Sequence, residues 1–215
     1  MFSHQMLFTS FLASLQESTP AQAQALPTGL PRIHRDQLPP EPRFYKDIFN
    51  HPMKTHLLEA IQTELQELQG KGVWETVALS EAKSLNKEVI PLTWVFKYKF
   101  DEHGWLIKVK ARICVRGDLQ ATQQDTYAAT LAFRIFRALI AIICAFDLEM
   151  RQYDVVNAFP HVPLEERTYC RPPEGMQLEQ GQILRLLRAL YGLKESPALW
   201  QKHFCKSLEE LGLTQ

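Results

Sequence analysis

Apolar positions along this chain recur with two different periods, and each change of period marks a new element. Between Asn50 and Gly72 the period is helical, with Leu57, Leu58, Ile61, Leu65 and Leu68 three or four residues apart. Asn50 suits the N-cap, Pro52 the first turn, and Gly70 and Gly72 stop the helix. Trp74 to Val77 reads as a short strand. From Leu92 the period falls to two. Trp94, Phe96, Tyr98 and Phe100 share one face, with Val95, Lys97 and Lys99 on the other. After the turn Asp101-Glu102-His103-Gly104, Trp105, Ile107, Val109, Ala111, Ile113 and Val115 lie opposite Lys108, Lys110, Arg112 and Arg116. A four-residue loop sets Phe100 across from Trp105 and Lys97 across from Lys108, so the apolar faces of both strands coincide.

Phe133 to Phe146 is apolar nearly all round, the pattern of a buried helix, with Arg134 and Arg137 near its start. The β-prone run Arg151 to Phe159 follows and holds one carboxylate, Asp154. Packed under that helix, the acid is buried and needs a cation or a hydrogen-bond donor to stay charged. The plainer alternative is a carboxylate at a strand end, bonded to neighbouring backbone. Pro160 and Pro163 then break regular structure, Thr168 to Cys170 is a short strand, and Arg171-Pro172-Pro173-Glu174-Gly175 is turn chemistry. Ile183 to Leu193 is apolar, with Arg185 and Arg188 spaced as on a helix. Ser196-Pro197 opens a last helix with Ser as N-cap, buried through Leu199, Trp200, Phe204, Leu208 and Leu211, and ended by Gly212.

Composition changes this picture little: 46% apolar and 22% charged residues are ordinary for a globular protein. Lys+Arg and Asp+Glu are 24 each, so only local clustering can select a charged partner. That clustering exists on the hairpin. Lys97, Lys99, Lys108, Lys110, Arg112 and Arg116 share one face with almost no acid between them. Like charges across a ladder are destabilising, so a polyanion is a natural partner, with a merely solvated basic face as the alternative. Cys114, Cys144, Cys170 and Cys205 have no paired spacing, which argues against a zinc site or disulfide scaffold and fits a reducing compartment. No apolar run approaches the roughly 20 residues of a membrane span. Met6 to Leu15 faintly resembles a signal peptide, but no Lys or Arg precedes it, so residues 1–42 are expected to be a disordered leader and linker.

Several motifs follow one another in a specific order. They are Trp94-Val95-Phe96-Lys97, Asp101 to Gly104, Lys110-Ala111-Arg112 with Gly117, and Thr126-Tyr127-Ala128-Ala129-Thr130. After these come Gln152-Tyr153-Asp154-Val155 with Asn157-Ala158-Phe159, and Ala189-Leu190-Tyr191-Gly192-Leu193-Lys194 with Ser196-Pro197 and Trp200. In this order and spacing the chain resembles the reverse transcriptase of Ty1/copia-type retrotransposons over roughly Glu41 to Phe204. The resemblance implies an α+β fold: fingers plus an incomplete palm of a right-hand polymerase over residues 43–215. It also implies that Asp154, with the backbone carbonyl of Val155, holds Mg²⁺ or Mn²⁺ in a two-metal nucleotidyl transfer. Arg112 and Lys110 would clamp the incoming deoxynucleoside triphosphate. Phe159 would stack under its sugar, and Tyr191 and Gly192 would line its pocket. Lys97, Lys99, Lys108, Arg116 and Lys194 would contact an RNA template and DNA primer.

The chain departs from the family pattern at three places. Phe159 is followed by Pro160-His161-Val162 where Leu, a small residue and Gly are usual, and Glu195 stands where Gln or a basic residue is common. No Asp-Asp pair occurs in the 215 residues, so the Tyr-x-Asp-Asp turn with its two further carboxylates is not among them. The expectation is a truncated domain, inactive alone. The alternative is a non-enzymatic remnant or host-retained module that binds nucleic acid through the basic hairpin. Neither reading involves a membrane; both place the chain inside the cell, in cytoplasm or nucleus, and leave the oligomeric state open.

Overall fold

The computed structural model describes residues 15–17, 29–121, 126–128, 131–151 and 153–213. The strands are β1 (Leu15–Glu17), β2 (Trp74–Ala78), β3 (Val89–Phe100), β4 (Leu106–Val115), β5 (Tyr153–Val155), β6 (Pro163–Arg171) and β7 (Gln182–Arg188). The α-helices are α1 (Lys54–Gly70), α2 (Leu79–Ser84), α3 (Phe133–Ala145) and α4 (Ser196–Glu210). The fold is α+β. One five-stranded sheet runs β2-β7-β6-β3-β4, and β1 pairs with β5 in a separate two-stranded ladder.

Strand β3 serves two neighbours in succession, and this places the basic hairpin. Its first residues, Val89 to Pro91, pair parallel with Tyr169 to Arg171 of β6. Beyond them, Leu92 to Phe100 pair antiparallel with β4. The hairpin register differs from the expected one. Lys97 lies opposite Lys110 and Lys99 opposite Lys108, and an irregularity between Lys99 and Phe100 brings Phe100 opposite Leu106. The turn is tightened by Asp101, whose Oδ1 accepts from the backbone N–H groups of His103 and Trp105. Leu106 is therefore fully buried in place of Trp105 and Ile107. The slip is an even number of residues over most of the ladder, so the faces are preserved. Trp94, Phe96 and Tyr98 still meet Ile113, Ala111 and Val109 in the core.

Helix α1 covers this apolar face through Leu57, Ile61 and Leu68, all buried. It begins at Lys54, because Tyr45–Asn50 forms a 3-10 helix and Asn50 lies inside that turn rather than capping α1. Gly72 leaves the helix with a positive φ of 61°.

Part of the stretch expected to be leader and linker lies against the core. Residues 1–14 and 18–28 lie outside the described residues, but Leu30, Ile33 and Leu38 pack against the main core. The chain here follows the hairpin tip, with Arg35 N–H donating to Gly104 O and Leu106 N–H to Ile33 O, at 2.9 and 3.0 Å. Proline-rich composition concealed three apolar anchors placed to reach the exposed edge of β4.

Three further elements differ from expectation. Gln182–Arg188 is the strand β7 rather than helix, flanked by β2 and β6 on its two sides. Its apolar content serves a doubly flanked strand, while Arg185 bonds Glu75 and Glu81. Strand β6 is longer than expected, with Pro163 as its first residue, where a missing N–H is tolerated. The stripe of α4 is half-buried, and Leu211 is exposed. Ser196 does not cap that helix: its Oγ donates to Leu190 O at 2.7 Å.

The largest correction concerns α3. No residue of it is buried, and Phe133 and Phe146 are 72% and 71% exposed. The expectation of burial followed from its all-round apolar sequence, but no other described segment lies over it. Asp154 is exposed as well, so burial does not compel it to take a cation.

Candidate functional site

The best-organised polar cluster lies where the end of β4, the turn after β7 and the segment after β5 meet. Val115 N–H donates to Tyr191 O at 2.8 Å, which fastens the turn to the last residue of β4. The approach is closer than a side chain permits. Gly192 has φ 89°, and a Cβ there would overlap the Val115 carbonyl oxygen. A Cβ on Gly117 would in turn overlap the carbonyl oxygen of Gly192. Glycine is required at both positions, at Gly192 by conformation and at both by contact.

This fastening presents Tyr191 to Arg112. The guanidinium carbon lies 5.0 Å from the Tyr191 ring centroid. On the other side Phe159, in the 3-10 helix Phe159–His161, meets Tyr191 edge-on at 4.7 Å between centroids. Burial raises the pKa of the Tyr191 phenol; the Arg112 charge opposes that rise, while Glu64 and Asp154 add to it. Three residues expected from three separate motifs, Arg112, Phe159 and Tyr191, meet here. Arg112 Nε is buried without a hydrogen-bond partner, a deficiency of about 1–3 kcal/mol that an arriving acceptor would relieve once the guanidinium turned towards it.

Lys97, Lys99, Lys108 and Lys110 share the polar face of the hairpin with Arg112, as expected. Burial and the neighbouring Arg112 charge lower the Lys110 pKa. Lys97 has a distant acidic neighbour, Glu41, at 3.7 Å. Two expected contacts are otherwise engaged. Arg116 lies beyond β4 and grips Asp118 with two bonds of 2.9 and 2.7 Å. Lys194 Nζ donates to Gln120 O at 2.6 Å, and Gln120 Nε2 donates to both oxygens of buried Glu195. Glu195 therefore anchors the 117–121 loop. Of the Thr126 to Thr130 motif, residues 129 and 130 lie outside the described residues, as does Gln152.

Two functional candidates, Glu64 and Glu67, escaped the sequence reading, and a third, Asn157, stood in a motif there without a role of its own. Glu64 of α1 is 5% exposed and accepts from Ile113 N–H at 3.4 Å, on the otherwise open edge of β4. Glu67, one turn on, accepts from Asn157 Nδ2 at 3.0 Å. Asn157 is 6% exposed with φ 52°. Glu64 was visible in principle: Leu57, Ile61, Glu64 and Leu68 share the helical spacing of one buried stripe, and an acid inside such a stripe signals a bound partner.

Burial raises the Glu64 pKa, and the Ile113 N–H and the Lys110 and Arg112 charges recover only part of the shift. A carboxyl whose folded pKa lies above its unfolded value favours the folded state while protonated. That contribution is complete below the unfolded value of about 4.3 and is lost as pH rises through the raised folded value. Glu64→Gln, which keeps an acceptor for Ile113, is therefore expected to be more stable than wild type at pH 7, with the difference shrinking at pH 4. Denaturant unfolding at both pH values measures this. A less stable variant at pH 7 would show that attraction to Lys110 and Arg112 outweighs burial.

A separate cavity of about 530 Å³ lies between β6, the start of β3 and the 117–121 loop. Its lining carries charges of both signs, with Lys87 bonded to Glu166 at 2.7 Å, and it shares Gln120 and Glu195 with the loop anchor just described.

Residues 71–215 match the family described as reverse transcriptase (RNA-dependent DNA polymerase). The chain is 33% identical over 169 residues to the retrovirus-related Pol polyprotein from transposon TNT 1-94 of Nicotiana tabacum. The match covers 76% of this chain and 12% of that polyprotein. No solved structure matches the fold.

Proposed function

Because the chain belongs to the reverse transcriptase (RNA-dependent DNA polymerase) family, in its Ty1/copia branch, we propose that it forms the fingers and first part of the palm of an RNA-directed DNA polymerase. One observation supports this reading most: the Tyr191 ring carries the Arg112 guanidinium over it and meets Phe159 edge-on. Arg112 and Lys110 then meet the triphosphate of a deoxynucleotide, Phe159 its sugar, and Tyr191 with Gly192 the wall of its pocket. Lys97, Lys99 and Lys108 follow the phosphates of an RNA template and DNA primer. The domain begins near Leu30, and its place of work is intracellular.

Reverse transcriptases generally use a divalent metal. Asp154 and the Val155 carbonyl offer at most three oxygens at one strand, and no three His, Cys, Asp or Glu side chains gather among the described residues. A magnesium or manganese ion takes about six oxygen ligands, so these residues alone do not complete such a site. The same incomplete donor set favours a second reading, a module that binds nucleic acid without polymerising. A polypeptide of these 215 residues is accordingly expected to bind but not to extend a primer.

Anisotropy with a labelled RNA at 50 and 200 mM salt tests the binding. Replacing Lys97, Lys108 and Arg112 by alanine is expected to weaken affinity and to flatten the salt slope by about 2, at ~0.7 per cation for single strands. An unchanged slope would remove the hairpin as the binding face. On a poly(rA) template with an oligo(dT) primer and Mg²⁺, synthesis abolished by Asp154→Asn would overturn the expectation of no extension.

A further inference from the structure

One face of α1 reaches both halves of the stacked cluster. Glu64 holds β4 at Ile113, next to Arg112, and Glu67 holds Asn157, midway between Asp154 and Phe159. The two acids are three residues apart, so they project from the same side of the helix about one turn apart. The strand carrying the cations and the turn carrying the aromatic ring otherwise come from segments more than 40 residues apart in sequence.

We infer that the Glu64–Glu67 face of α1 is a strut setting the distance between Arg112 and the Asp154–Phe159 turn, and that Glu67 and Asn157 are positioning residues for triphosphate binding. This rests on the nucleotide reading above. Three further features fit the role. Asn157 adopts a left-handed backbone that asparagine tolerates better than most residues, and its buried amide is directed to Glu67 rather than to its own turn. The turn it stabilises continues directly into Phe159, since His161 N–H bonds Ala158 O and His161 Nε2 lies 3.2 Å from Val156 O. Glu64 occupies a buried position in the apolar stripe of α1, where it accepts from the Ile113 N–H beside Arg112. A helix held only for packing would use an apolar residue there.

The test is titration calorimetry of the full chain with deoxythymidine triphosphate and Mg²⁺, with the thermal midpoint recorded for each variant. Glu67→Ala is expected to weaken binding about five- to tenfold, within the net range of one ordinary hydrogen bond. Glu67→Gln, which retains an acceptor for Asn157, restores most of it. Asn157→Gly keeps the positive φ without strain while removing the amide, and is expected to match Glu67→Ala. The double variant Glu67→Ala/Asn157→Gly is then no weaker than either single change, because both remove the same bond. Binding lost in Arg112→Ala but unchanged in Glu67→Ala and Asn157→Gly overturns the strut and leaves the nucleotide site standing. Wild-type binding indifferent to Arg112→Ala overturns the nucleotide site and the strut with it. Should Glu67→Ala not fold, the Asn157→Gly and Glu67→Gln pair decides: equal weakening in both, or in neither, contradicts the strut.

Discussion

Replacing Gly192 by alanine is expected to lower the thermal midpoint by roughly 6–12 °C, the equivalent of about 3 kcal/mol at this chain length. Two penalties combine. Its φ of 89° is a conformation that L side chains rarely adopt, and the new methyl would overlap the Val115 carbonyl oxygen. That oxygen belongs to backbone at the end of the hairpin, so no side-chain rotation relieves the contact. Gly117→Ala is expected to act on the same junction, because its methyl would meet the Gly192 carbonyl oxygen. The two changes share one contact region, and their effects should not add. Differential scanning measures this directly. A midpoint within a degree of wild type for Gly192→Ala would mean that the turn is free to move off β4, and Tyr191 would then not be held against Arg112.

Arg112→Ala is expected to weaken binding of a deoxynucleoside triphosphate about 10- to 100-fold, the range of charge-assisted bonds lost together. Arg112→Lys should recover little of this. A lysine preserves the charge but neither the flat face that lies over Tyr191 nor the fork that meets phosphate oxygens in pairs. Calorimetry on both variants separates the two explanations of the basic face. Full recovery with lysine would mean that bulk positive potential attracts the ligand and that the stacked geometry is incidental. Equal loss in both variants ties recognition to the guanidinium on its aromatic support.

The alternation of Trp94 to Phe100 and of Val109 to Val115 determined the hairpin, its buried side and its cationic side, since side chains alternate across any strand whatever the fold. The motif order determined the family, and it singled out Arg112, Asp154, Phe159, Tyr191 and Gly192 as candidates. Distant contacts decided the remainder. Local spacing made Gln182–Arg188 resemble a helix, yet strands on both sides pull it into the sheet. Apolar composition made α3 resemble a core helix, but composition states what a helix could bury, while the segment that would cover it is a separate matter. Glu64, Glu67 and Asn157 became meaningful only when α1 was laid against β4 and the turn after β5. Their partners lie 49 and 90 residues away along the chain, a separation that no short-range pattern encodes.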